Sequence, residues 1–280
     1  MLLTKVRCAG AGLLVCALVS NPATGASLSC SEMEEFLAKA EIKDTRGTSK
    51  GITLPSRARM ELGSVSHEAL IQTIDESKSS FQSQRGTELN FRDSWKFNVA
   101  GYEIAKMLEL NMVPPYIERK ARGKTGSFSW WINDAMMELD RTKQKIEPPD
   151  QDSWNKQMWV VRVFHQLIHD TDPNLTNILI TKDWQIWMID FTRAFRWMKN
   201  LPNAKNLVRC DRKVLANLRK LKKEDLDPKL TRWLNKPEIE GVIARAQKIV
   251  EYFDKEIAAK GEAEVLFDLP RANQPCGTGI

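Results

Sequence analysis

Residues 172–180 read Asp172-Pro-Asn-Leu-Thr-Asn177-Ile-Leu-Ile180, and one more apolar stretch carries the chain to Met188-Ile-Asp190-Phe191. The triplet 178–180 and the run Trp184-Gln-Ile-Trp-Met-Ile189 predict two short strands that turn at Thr181-Lys-Asp183. The order is a polar loop bearing a carboxylate and an amide, a strand, a tight turn, a second strand, and a carboxylate at its end. Side-chain oxygens of this kind suit a magnesium-like ion, which takes one or two carboxylates and fills the rest of its shell with water and phosphate oxygens. Asp170 to Thr176 begins like a calcium loop, but that motif needs Gly at its sixth position and Glu at its twelfth. Here those positions are Leu175 and Thr181, which excludes it.

Working outward, residues 154–168 have the helical period, with Val160, Val163, Phe164 and Leu167 on one face. Residues 93–110 predict another helix. Phe97, Ala100, Ile104, Met107 and Leu108 line one side of it, Asp93 serves as N-cap, and Val113-Pro114-Pro115 follows its end. Between 44 and 84, Gly47, Gly51, Gly63 and many Ser and Thr separate short apolar stretches, the pattern of antiparallel strands. Residues 116–120 and 127–132 predict two strands around a turn at 123–126, and 135–145 predicts a helix. Beyond 190 the chain reads as mostly helical to about residue 260. The fold class is α+β in two lobes: a small β-rich one over 30–128 and a mainly helical one over 129–280.

The spacing adds specificity. In protein kinases the catalytic Asp precedes a metal-binding Asn by five residues, and a second metal-binding Asp stands one hairpin later, before Phe. Asp172, Asn177 and Asp190 keep both intervals. The chain thus resembles the protein-kinase-like superfamily, and more closely its atypical, phosphoinositide-3/4-kinase-like branches. The segment Tyr102-Glu-Ile-Ala-Lys-Met-Leu-Glu-Leu-Asn-Met-Val-Pro-Pro115, then Gly126-Ser127 and an aromatic strand, is similar to the small-lobe helix, following strand and hinge of those branches. The resemblance covers about residues 45–200. It implies a catalytic base at Asp172, metal ligands at Asn177 and Asp190, ATP with Mg2+ or Mn2+ as cofactors, and transfer of the γ-phosphoryl to a hydroxyl-bearing acceptor. It also implies that Glu103 organises a phosphate-binding Lys.

That Lys is where the chain departs from the pattern. The strand Ala69-Leu-Ile-Gln72 carries Gln72 in its place, leaving Lys78, six residues on, and Lys50, inside Gly47-Thr-Ser-Lys-Gly51, as candidate nucleotide-binding cations. Thr192 replaces the Gly that usually follows Asp-Phe. Asp170 stands two residues before Asp172, as a second site carboxylate or as a cap of the loop. Two other readings stay open: a pseudokinase that binds nucleotide without turnover, and a nucleotidyl transferase that moves AMP on the same fold.

Residues 1–26 have a signal-peptide pattern, with Lys5 and Arg7, an apolar run over 9–19, and small residues at 23–26. The expectation is an exported protein (periplasmic, secreted or in a secretory lumen) with no stable membrane span once the signal is removed. Lys5 and Arg7 leave with it, which lowers the net charge from +6 to +4 and excludes a nucleic-acid footprint. Cys30, Cys210 and Cys276 remain, enough for one bridge and one free thiol, and no Cys/His spacing suits zinc. No Gly-x-Ser-x-Gly elbow supports a hydrolase. The nature of the acceptor is not written in any motif.

Overall fold

Ser29 starts the first helix with a capping box. Its hydroxyl accepts from Glu32 N, and the Glu32 carboxylate accepts from Ser29 N at 2.7 Å. The computed structural model describes residues 28–47, 55–83 and 86–270. In the small lobe α1 (Cys30–Lys39) leads into β1 (Glu41–Gly47), β2 (Ser56–Leu62), β3 (Val65–Gln72), the long hairpin β4 (Asp75–Ser83) and β5 (Gly86–Ser94), α2 (Trp95–Met107), β6 (Tyr116–Ala121) and β7 (Lys124–Trp130). Five strands make an antiparallel sheet in the order β1-β2-β3-β7-β6, while β4 and β5 pair only with each other. Phe36 and Leu37 of α1 pack on one face of the five-stranded sheet, against Ala58, Met60, Ala69 and Phe128. Because side chains alternate along a strand, Gln72, Leu70 and Glu68 fall on the opposite face, toward the large lobe. Gly126 lets β7 close on the end of β3: a Cβ there would collide with the Gln72 carbonyl oxygen.

The large lobe contains β8 (Met136–Met137), α3 (Glu138–Gln144), α4 (Gln151–Ile168), β9 (Ile178–Ile180), β10 (Ile186–Met188), β11 (Cys210–Asp211), α5 (Arg212–Lys220), α6 (Lys223–Leu230), α7 (Lys236–Lys260), α8 (Glu262–Val265) and β12 (Leu266–Phe267). Its core joins Val160, Phe164 and Leu167 of α4 to Ile239, Val242, Ile249 and Phe253 of α7. The buried side of α2 (Phe97, Ile104 and Leu108) belongs to this same core. Arg245 is fully buried in α7 and donates to the carbonyls of Leu167 (2.7 Å), Arg196 (2.8 Å) and Met198, tying the segment after Asp190 to the core. Burial lowers its pKa to about 9. Among the described residues, no helix is long and apolar enough to cross a membrane.

Local chemistry sets the element ends differently from the sequence expectations. Helix α2 starts after Ser94, whose hydroxyl accepts from Lys96 N and donates to Asp75 at 2.7 Å, while the Asp93 carboxylate turns to Thr192. Helix α4 starts earlier than 154, because Asp150 accepts from the Asp152 and Ser153 amides at 3.0 and 3.1 Å. Met136 and Met137 are extended rather than helical, because they pair with β9 as the third strand of a small sheet. Cys30 is disulfide-bonded and Cys210 is a buried free thiol whose pKa burial raises.

Candidate active site

The loop after α4 is shaped by its own side chains. His169 ends the helix in the left-handed region (φ 47°) and the chain reverses. Asp170, buried, accepts from Asp172 N at 2.9 Å; Asn174 N donates to Asp172 O at 2.8 Å; and the Asn174 carboxamide accepts from Thr176 N at 2.9 Å. These turns deliver Asp172 and Asn177 to the mouth of the β9–β10 hairpin. At this same open end Ile189 N donates to Asn177 O at 3.0 Å, and Asn177 Nδ2 lies 3.5 Å from Asp190 O. Asp190 adopts φ 60°, a left-handed conformation that a non-glycine residue holds only where its surroundings impose it. The Tyr116 hydroxyl accepts from Asp190 N at 3.3 Å, and burial raises that phenol's pKa.

From Asp190 a directional chain of amides runs back into the small lobe. Phe191 N donates to Asn98 Oδ1 at 2.7 Å, Asn98 Nδ2 donates to Gln72 Oε1 at 2.7 Å, and Gln72 Nε2 donates to Asp190 Oδ1 at 3.1 Å. Asn98 Nδ2 also reaches Ser127 Oγ at 3.3 Å. Each amide has one acceptor and one donor end, so the backbone N–H of Phe191 fixes the orientation of Asn98, and Asn98 fixes that of Gln72. Behind this chain Phe191 packs flat against α2. A Cβ on Gly101 would come within 2.7 Å of the Phe191 ring.

The electrostatics are those of crowded carboxylates. Burial raises the Asp190 pKa, the Gln72 and Thr192 hydrogen bonds oppose that, and the charge of Asp172 adds to it. Asp170 is pushed up to about 7, first by burial; the Asp172 N–H lowers it, the charges of Asp172 and Asp190 raise it, and Arg193 lowers it. Asp93 is also raised by burial, with Asp190 contributing. Carboxylates that disfavour one another's charge form a site that a divalent cation relieves. Among the described residues no three His, Cys, Asp or Glu side chains are grouped to hold a metal by themselves. An Asn, an Asp and ligand oxygens make a different set, and these residues fit it.

The other expected nucleotide-binding residues stand elsewhere. Glu103 lies five residues beyond Asn98, about 140° further round α2, and pairs with Lys106 (2.7 Å) on the side of the helix that meets α1. The inward position is taken by Asn98, so Glu103 does not organise the cleft. Lys78 is on the β4–β5 hairpin, paired with Glu76 at 2.7 Å and over the Phe81 and Phe91 rings at 5.6 and 5.7 Å. It does not enter the amide chain, because the hairpin leaves the sheet at Ile74 and packs instead on the segment after Asp190 through Glu88 with Arg193 and Arg196. Lys50 lies outside the described residues.

Sequence reasoning also missed a charged cluster around Glu68 of β3. Glu68 pairs with Arg57 and Arg46, and the Arg57 guanidinium lies 4.0 Å over the Trp131 ring. Asn98 carried a signal: an amide inside the apolar run Phe97-Asn-Val-Ala-Gly101 is costly unless it is bonded. The Arg57–Glu68 cluster carried none, since these are ordinary residues on ordinary strands.

The fold is protein-kinase-like. A solved structure described as the Golgi casein kinase superposes over 87% of this chain and 81% of its own, with a TM-score of 0.61 at 11% identity. A Helicobacter pylori proinflammatory kinase, CtkA, covers 81% and 96% respectively with a TM-score of 0.44 at 10% identity. No protein-family model matches the sequence, and no curated protein does.

Proposed function

We propose that the chain is a kinase-like phosphotransferase that binds ATP with Mg2+ or Mn2+ and moves the γ-phosphoryl to a hydroxyl acceptor. One juxtaposition supports this reading: Asp190 accepts from Gln72 at the end of β3, its backbone carbonyl lies 3.5 Å from the Asn177 amide, and it feels the charge of Asp172. Asp172 orients the acceptor hydroxyl and takes its proton; Asn177 and Asp190 hold the metal. A divalent metal held by Asn177 and Asp190 would supply charge neutralisation for the phosphate oxygens. Gln72 contributes a hydrogen-bond donor without charge, so phosphate binding depends on the metal more than in a kinase with Lys there. The phosphoinositide-kinase-like placement rests on the segment 102–115 with Gly126-Ser127 and the aromatic strand that follows. Export is supported by the leader pattern and by the disulfide at Cys30, a bond that persists in oxidising compartments.

Gln72, an uncharged amide where the resemblance implies a Lys and bonded to a second amide at Asn98, favours a second reading: a pseudokinase that binds nucleotide without turnover. The protein freed of its leader, incubated with γ-labelled ATP and Mn2+ beside Asp190→Ala, distinguishes them. Label on the protein or an added acceptor, lost in the variant, supports transfer. Metal-dependent nucleotide binding without label supports the scaffold. No binding of either kind removes both.

A further inference from the structure

We infer that the large lobe carries a second site, which takes an organic cation: a guanidinium or ammonium head on an apolar stem. The site is a cavity of about 300 Å³ between the start of α4, the β9–β10 turn and Pro270. Trp184 forms one wall, and Trp154 stands edge-on to it at 5.9 Å and 84°. The turn is closed by Trp184 N donating to Thr181 O at 2.9 Å and Thr181 N to Gln185 O at 3.1 Å, and Trp184 takes φ 63° within it. Glycine fits that position with least strain, yet the chain puts its bulkiest kind of side chain there. Buried Gln157 holds the backbone on both sides, donating to Trp184 O at 2.9 Å and accepting from Ile186 N at 2.8 Å. The indole is set at the cavity at a conformational cost.

The polar lining sets the sign of the ligand. Asp150 and Asp183 stand at the cavity, and among the described residues no Lys, Arg or His lines it. One oxygen of each carboxylate is committed locally: Asp150 accepts from the Asp152 and Ser153 amides, and Asp183 from Thr181 Oγ1 at 2.5 Å. The neighbouring cations are engaged elsewhere, Lys182 with Asp134 at 2.8 Å and Lys156 with Asp152 at 2.5 Å. Pro148, Pro149 and Pro270 bring no N–H, so the walls accept rather than donate. Such a lining repels an anion, whereas a cation over an indole is drawn to the ring and to the carboxylates together. The chain builds this triad of ring, acid and base for itself elsewhere. Arg141 lies 4.8 Å over Trp154 and pairs with Glu138 at 2.6 Å; Arg57 lies 4.0 Å over Trp131 and pairs with Glu68; Arg193 lies 4.7 Å over Phe91 and pairs with Glu88. The cavity has the ring and the acids and lacks the base. Its prolines suit the alkyl stem that carries such a head. The turn is the closed end of the hairpin whose open end holds Asn177 and Asp190, three strand residues or roughly 10 Å away, so the site stands whatever chemistry the cleft performs.

The cation arrives either free or as an Arg or Lys side chain of a polypeptide. In the isotope-labelled protein freed of its leader, without nucleotide or metal, N-acetylarginine amide should shift the Trp184 indole N–H resonance saturably. Trp184→Phe assigns that resonance, and the uncharged isostere N-acetylcitrulline amide should leave it in place. Asp150→Asn, which keeps the helix cap, combined with Asp183→Asn should weaken binding tenfold or more. The peptide Ala-Ala-Arg-Ala-Ala binding tenfold tighter than the amide assigns the cation to a polypeptide; equal affinities assign it to a free ligand. Equal binding of the citrulline probe, unchanged affinity in the double variant, or no shift with either arginine probe would each overturn the proposal. Arg271→Gln is measured beside the parent, because binding by that variant alone would mean that the cation belongs to this chain. None of these readouts involves phosphoryl transfer, so their failure leaves the kinase reading untouched.

Discussion

The directional amide chain predicts a coupling between Gln72 and Asn98 that isolated contacts would not show. Gln72→Lys keeps a donor toward Asp190 but sets an ammonium against the Asn98 amide, which stands 2.7 Å away and cannot turn without opposing Phe191 N–H. Asn98→Asp keeps the acceptor for Phe191 but faces a carboxylate oxygen against Gln72 Oε1. Each single change leaves a buried group facing its own kind, at about 1–3 kcal/mol, and Gln72 and Asn98 are both almost fully buried. In the double variant the two errors cancel, because the introduced ammonium donates both to the introduced carboxylate and to Asp190. An ion pair at about 4 Å contributes a gross attraction of about 4 kcal/mol at an effective dielectric near 20, before desolvation is subtracted. The expected coupling is therefore about 3 kcal/mol, the upper range for residues in contact. Urea unfolding of the four proteins at pH 7 measures it. Single-variant effects that add to within about 0.5 kcal/mol would show that the hydrogen bonds do not act as one chain.

Other outcomes follow from the same geometry. Gly101→Ala forces a methyl into the Phe191 ring at 2.7 Å and should lower stability by about 1–3 kcal/mol; an unchanged urea midpoint would mean that α2 and Phe191 are not in contact. Asp170, raised to about 7 by burial, is protonated in the folded chain where the unfolded chain is already ionised. Its contribution is therefore complete in acid and is lost as pH rises from about 4 to about 7. Asp170→Asn removes that loss: in metal-free buffer it should be more stable than the parent at pH 8, by at most about 4 kcal/mol, and equal at pH 4. A constant difference across that range would refute the assignment. His165, held neutral by burial with its pKa lowered to about 4, acts in the opposite sense. Stability should fall as pH drops from 6.5 toward 4, and His165→Gln should flatten that limb of the Tm profile. Arg245→Met leaves the carbonyls of Leu167, Arg196 and Met198 without their buried donor, and should cost about 3 kcal/mol or more, read from the same unfolding curves.

What the sequence disclosed was local. The intervals from Asp172 to Asn177 and Asp190 could be read because a loop, two three-residue strands and a turn fix the geometry without help from the rest of the chain. The two-lobed outline followed from the change of hydrophobic period between the two halves. What escaped was set by distant packing. Which side of α2 faces the cleft depends on where Ser94 begins the helix and on the large-lobe core that takes Phe97 and Ile104, so Asn98 and not Glu103 points inward. Choosing Glu103 followed residue type, looking for a charged pair where the chain uses two amides. Lys78 was placed by its distance along the chain from Gln72, but the β4–β5 hairpin leaves the sheet between them.

The sharing of α2 with the large-lobe core has a mechanical consequence. The apolar cores do not divide at residue 130: α2 and Tyr116 of β6 belong to the large-lobe core, while the other face of the five-stranded sheet packs with α1. Next to Asp190 the sheet meets the large lobe through polar bonds, Gln72 to Asn98, Gln72 to Asp190 and Ser127 to Asn98, and through Tyr116 of β6, which is buried in the same core as Phe191. Any separation of the sheet from α2 would therefore break the bonds that orient Gln72 toward Asp190, so the order of that carboxylate and the seating of the sheet depend on one another.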